Sequence, residues 1–149
     1  MIDRYKKPDK KNSISIVEAA ERDMKYTLSL PLSHEGGAII IRNIYESFRM
    51  LGDALLVSKG FKSEDHITQI GELIKLEVDT ARPLSLINNL RVLRHMINYY
   101  GYAPEIEEVK DVILFAKNCF EPIAKAVRKK IIWKTYWFIH LELILLRIN

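Results

Sequence analysis

A single cysteine, Cys119, stands in a chain of 149 residues. That count excludes an intramolecular disulfide and any cysteine-built zinc cage within one chain, and it fits a reducing compartment. Histidine is nearly as scarce, and no HExxH motif or paired His/Cys spacing points to a metal, so neither a metal nor another cofactor is expected. Glycine does not form a phosphate-cradling loop, because Gly36-Gly37 lacks the Gly-Lys-Ser/Thr that would have to follow. Behind the charges of MIDRYKKPDKKNS there is no apolar run, so this is not a secretory signal and a cytoplasmic protein is expected. Nowhere does a sustained two-residue alternation mark a half-buried strand, and no internal repeat emerges. The most apolar stretch, IIWKTYWFIHLELILLRIN, is interrupted by Lys134, His140, Glu142 and Arg147, so it falls short of a membrane span.

What is present suits one soluble core: 48% hydrophobic and 28% charged residues in a length typical of a single domain. The net charge of +4 is unevenly placed. Arg4, Lys6, Lys7, Lys10 and Lys11 crowd the start, and Arg128, Lys129, Lys130 and Lys134 lie near the end. Each cluster can neutralise phosphates of a nucleic acid; each also reads as a solvated tail or as lysines complementing a helix C-terminus.

Helical periodicity organises the chain. Residues 1–12 read as a disordered basic tail. Ser13 or Ser15 reads as the first helix cap, with Glu18 three residues after Ser15 and Ile16, Val17, Ala20, Met24 and Leu28 at helical spacing until Pro31. A longer second helix follows Gly36-Gly37, with the stripe Ile41, Tyr45, Phe48, Gly52, Leu55, and stops at Lys59-Gly60. Beside the stripe run Arg42, Glu46, Arg49 and Asp53, a spacing that suits weak surface ion pairs of about 0.2 to 0.5 kcal/mol each. Ser63-Glu64-Asp65 opens a third helix to about Glu77. Pro83 fits the first turn of a fourth, which ends at Gly101. A fifth runs from about 104 to 131, where Pro122 should kink or divide it. The expected fold is all-α: an antiparallel up-and-down bundle of four to five helices over residues 13–131, with 132–149 as an apolar, helical C-terminal tail. Three readings of that tail are open: an extra bundle helix or dimer seam, an interfacial membrane helix, or a terminus foreign to the fold.

The stretch LRHMINYYGYAPEIEE, residues 90–105, departs from the Leu, Ile, Lys and Glu around it. On a helical wheel Leu86, Leu90, Leu93 and Ile97 form the core arc, while Arg91, Arg94, His95 and Asn98 share one flank, Arg94 nearest the core edge. Two guanidiniums, an imidazole and an amide with no carboxylate among them suit phosphate or ribose oxygens. Tyr99, Tyr100 and Tyr102 can stack on bases or donate hydroxyl hydrogen bonds. The same residues also admit a structural role, with Arg91 and Arg94 paired to Glu46 or Asp53 and the tyrosines packed over the next helix.

LRHMINYYGYAPEIEEVKDVILFAKNCF resembles the C-terminal half of HEPN-domain proteins, particularly the small stand-alone prokaryotic kind. RNIYESFRMLGDALLVSKGFKSEDHITQIGEL is similar to that family's long second helix, Lys-Gly turn and the "DH" before the next helix, so the likeness spans about residues 14–130. The resemblance implies a helical bundle that forms a homodimer around a shared cleft, acting on RNA. It further implies that the protein is the ribonuclease toxin of a pair whose antitoxin is a minimal nucleotidyltransferase, or else a non-catalytic module that binds such a transferase or another protein. By position Arg94, Asn98 and His95 are then the catalytic candidates, and Arg91, Arg94, Tyr99, Tyr100 and Tyr102 the RNA-binding ones. Tyr100 and Tyr102 are the candidates for nucleotidylation by the partner.

One feature of the family is missing. Its nucleases carry a histidine separated from the arginine by four to six residues, and Asn98-Tyr99 occupies that region after Arg94, while Arg91 and His95 are separated by only three residues. A metal-independent cleavage needs a base for the 2′-hydroxyl, which histidine suits and tyrosine does not. Two substitutes are open: His95 beside Arg91, or His66 reaching the cleft from the third helix.

Overall fold

The computed structural model describes residues 4–148, with side chains described for 6–133 and 140–147. Residues 1–3 and 149 of the two expected tails, and the side chains of Arg4 and Lys134 in the two basic clusters, lie outside the described residues.

Helix α1 spans Lys10–Ser29, starting four residues before a cap at Ser13 would allow. Asp9 is the cap: its carboxylate accepts from the Asn12 N–H at 2.9 Å. Ser13 and Ser15 lie inside the helix and donate back to the carbonyls of Asp9 and Lys11. A carboxylate at the positive helix end outcompetes a hydroxyl one turn later, which is satisfied within the helix instead. Within the segment expected as a disordered tail, Arg4–Tyr5 form a short strand and Lys10, Lys11 and Asn12 the first turn of α1.

Helix α2, Gly37–Ser58, is the axis of the bundle. It touches each of the other four helices. Ile41, Tyr45, Phe48, Leu51 and Leu55 are sealed from solvent on it, each such side chain contributing roughly 1.5 to 3 kcal/mol relative to exposure. Phe48 packs on Phe115 and Phe120 of the last helix.

Gly60, at φ +81°, turns the chain into a two-residue strand β2 (Phe61–Lys62), which pairs antiparallel with β1 (Arg4–Tyr5). Two-residue strands are too short to leave an alternation in the sequence. Helix α3, His66–Ile74, is capped by Asp65 and ends three residues before the expected stop. It lies tight against α2 because position 52 is glycine: a Cβ there would fall 2.0 Å from the Gln69 carbonyl oxygen. Lys59 clamps the same junction by an ion pair to Glu72 at 2.5 Å.

Helix α4 runs Leu86–Tyr100 and stops at Gly101, φ +64°. Ile87, Leu90 and Ile97 are its buried residues, with Leu86 and Leu93 partly buried beside them. Helix α5, Ile106–Ile148, is not divided at Pro122. The proline removes one backbone donor, but Cys119, Phe120, Ile123 and Ala124 on both sides of it are packed into the core, so tertiary contact carries the helix through. The tail expected as a separate segment is the continuation of α5. Beyond Ile131 its side chains Leu141, Leu143, Ile144, Leu145 and Leu146 are exposed. No helix among the described residues is long and apolar enough to cross a membrane. The described chain is an all-α bundle of five helices with one short strand pair.

Candidate functional site

A cleft of about 680 Å³ opens where α2, α3, α4 and the segment before α1 converge. Its floor is α2. The helical stripe that carries Ile41 and Phe48 into the core also carries Tyr45, which is 0% exposed. A phenol so placed needs a partner for its hydroxyl. It finds one in His66, the first residue of α3, with the Tyr45 hydroxyl 3.0 Å from Nδ1. From α4, the Arg94 guanidinium carbon lies 5.6 Å from the centroid of the Tyr45 ring. Arg94 and His66 thus line one cleft with the tyrosine between them.

Beside this trio, Arg49 is held by three acceptor atoms. It pairs with both carboxylate oxygens of Glu46 and donates to Gln69 Oε1 at 2.7 Å. Gln69 in turn donates to Asp53 at 3.3 Å and to the Ser63 carbonyl at 2.9 Å. The Glu46–Arg49 pair was expected on a solvated face; with the Arg49 side chain only 17% exposed, it belongs to the cleft wall.

The surroundings set the protonation states. Burial pushes the Tyr45 phenol up to about 12 despite Arg94 and Arg49. Burial also holds the His66 imidazole below its ordinary value, and the charges of Arg49 and Arg94 reinforce it. Burial opposes ionisation of Glu46, but hydrogen bonds and charge from Arg49 outweigh it and keep the carboxylate below the usual range. At Asp53 the balance reverses: burial wins over Arg49 and Gln69 and the carboxyl sits above the usual range. At neutral pH the cleft therefore presents a neutral imidazole beside two guanidiniums, one of them neutralised by Glu46.

The other residues singled out on α4 lie elsewhere. Asn98 is exposed and accepts from Arg42 Nε at 2.7 Å, tying α4 to α2 outside the cleft. Arg91 donates to Asn88 one turn back at 3.0 Å. His95 is exposed and packs against Tyr99 in a tilted arrangement and Tyr100 edge-on, with ring centroids 4.6 and 5.8 Å away. Tyr99 and Tyr100 are 68% and 77% exposed. Tyr102 packs partly against the core, and hydrogen bonding to the Glu108 carboxylate raises its phenol above the ordinary value. Among the described residues neither Arg91 nor Arg94 forms an ion pair, since Glu46 is engaged by Arg49 and Asp53 by Gln69.

Of the two substitute histidines, His66 is the one brought to Arg94. Tyr45, through its contacts with His66 and Arg94, and Gln69 join the site without having been singled out for it, and Lys6 and Lys7, read in the sequence only as part of a basic cluster, line the same cleft. Tyr45 did leave a signal, as the one polar tip in an otherwise apolar stripe. Among the described residues no group of three or more His, Cys, Asp and Glu is arranged to hold a metal ion. In comparison with known proteins, no family model, no curated protein and no solved structure matches the chain.

Proposed function

We propose that the protein is an RNA-directed bundle of the HEPN type, antiparallel and dimeric, that cleaves RNA in the cleft between α2, α3 and α4. The observation that carries this reading is the meeting of a neutral His66 with Arg94 across Tyr45. It supplies, from another helix, the base that the arginine lacks in its own. In the tautomer that carries its proton on Nδ1 and donates it to the Tyr45 oxygen, His66 Nε2 keeps its lone pair for the 2′-hydroxyl proton. The 2′-oxygen then attacks phosphorus, the 5′-oxygen leaves and takes a proton from water, and the products are a 2′,3′-cyclic phosphate and a 5′-hydroxyl end. Arg94 bears on the negative charge that builds on the phosphoryl oxygens. A mixed RNA pool incubated with the protein in EDTA tests this. Cleavage is expected, and Arg94→Ala should lower its rate by about 10² to 10³-fold with an unchanged circular dichroism spectrum. Equal rates for the two proteins, or none for either, would reject it.

A second reading, a non-catalytic partner of a nucleotidyltransferase, is favoured by one observation. Tyr100 is 77% exposed and open to modification, whereas Tyr102 is packed against the core. A mass increase on Tyr100 after co-expression with such a transferase would support it.

A further inference from the structure

We propose that residues 6–9 form a fixed strap that supplies Lys6 and Lys7 to the cleft as positioning residues for the RNA backbone, an inference that rests on the RNA reading above. Both lysines line the same cleft as His66 and Arg94, although in sequence they belong to a basic run with every mark of a solvated tail. The backbone shows otherwise. Lys6 N–H donates to the Gly60 carbonyl at 2.5 Å and Asp9 N–H to the Val57 carbonyl at 3.2 Å. These bonds continue the β1–β2 pairing, in which the residue before Lys6 faces Phe61.

Position 60 is matched to this contact. Its φ of +81° is in the left-handed region, and a Cβ there would fall 2.1 Å from the Lys6 carbonyl oxygen and 3.0 Å from Pro8 Cδ. Glycine thus allows both the turn after α2 and the approach of the strap.

Charge bookkeeping then favours a polyanion. Of the acids lining the cleft, Glu46 is taken by Arg49, Glu64 lies 3.7 Å from Lys62, Asp9 caps α1 and Asp53 accepts from Gln69. Among the described residues Lys6, Lys7 and Arg94 have no acid partner. The lining as a whole keeps five cations against four carboxylates, because the hydrogen bonds of Asp9 and Asp53 leave their charge in place. Within that small excess the three cations without an ion-pair partner, two on the strap and one on α4, suit successive phosphates of a single strand: Arg94 at the scissile phosphate and the lysines at its neighbours.

The test is binding of a short fluorescein-labelled polyuridine to the full chain as salt rises from about 50 to about 200 mM. The double variant Lys6→Gln/Lys7→Gln should bind more weakly and lose about 1.4 from the slope of log affinity against log salt, about 0.7 for each phosphate contact removed. The variant Lys6→Arg/Lys7→Arg should restore the slope. Both variants should keep the wild-type melting temperature, because these side chains are exposed. A wild type that binds while the glutamine variant shows the same affinity and slope would overturn the strap alone. A wild type that binds no RNA would overturn the strap together with the cleft reading.

Discussion

The core edge and the outer edge of the polar flank of α4 carry similar side chains in opposite surroundings. The core edge presents Arg94 over a sealed tyrosine, with a histidine from α3 in the same cleft. The outer edge presents His95 packed against two exposed tyrosines. An imidazole lies at each edge. What differs is desolvation and fixed charge, which hold His66 neutral in the cleft. An imidazole becomes useful chemistry through what packs around it, so residue type on a helical wheel is a poor guide to which histidine acts.

The sharpest way to break this comparison is to remove each histidine in turn. His66→Ala should lower RNA cleavage by about 10² to 10⁴-fold, and His95→Ala should change it less than about twofold, since surface substitutions away from a site are nearly neutral. Comparable losses would place the site at the open outer edge of α4. The pH profile carries the sign: with His66 held below 6.5, the acid limb of kcat/KM should lie below pH 6.5. The folded chain binds that proton less readily than the unfolded one, so stability should also fall as pH drops from 6.5 through the lowered value.

A second contrast concerns two glycines at the α2–α3 junction. Gly52→Ala puts a methyl 2.0 Å from the Gln69 carbonyl oxygen, and overpacking of this kind should cost about 1 to 3 kcal/mol. It should also displace His66 and depress cleavage. Gly71→Ala meets nothing within 4 Å and should stabilise α3 by up to about 1 kcal/mol through helix propensity alone. Denaturant melts of the two variants would sharpen the difference between a glycine that is needed and one that is tolerated.

The smallest effect is spectroscopic. The Tyr45 phenol should ionise near pH 12, and Tyr45→Phe should remove that step from the phenolate absorbance titration. Because the folded value is raised, the associated stability is complete below pH 10 and lost as pH rises from 10 through 12.

Much of the fold was legible in local pattern. The stops at Lys59-Gly60 and Gly101, the start of α2 at Gly37 and the core stripe of α2 follow from periodicity and turn chemistry, which act over a few residues. Local reasoning failed where two local signals competed, as with Asp9 against Ser13 and Ser15, and of the two outcomes expected at Pro122, division of α5 did not occur because distant packing holds both sides of it. The site was legible only in part. Arg94 stands out by its position at the core edge of α4. Asn98, an equally good candidate by spacing, is spent on Arg42, and nothing in its own neighbourhood reveals that.

The sequence by itself determined the class of the molecule, an all-helical single core with an arginine at the edge of its fourth helix, because helical periodicity and capping are short-range. Only the tertiary structure decided which groups share a cleft. Lys6, Tyr45, His66 and Arg94 come from separate elements and meet because Gly52 and Gly60 let α3 and the N-terminal strap approach α2 more closely than any other residue would permit.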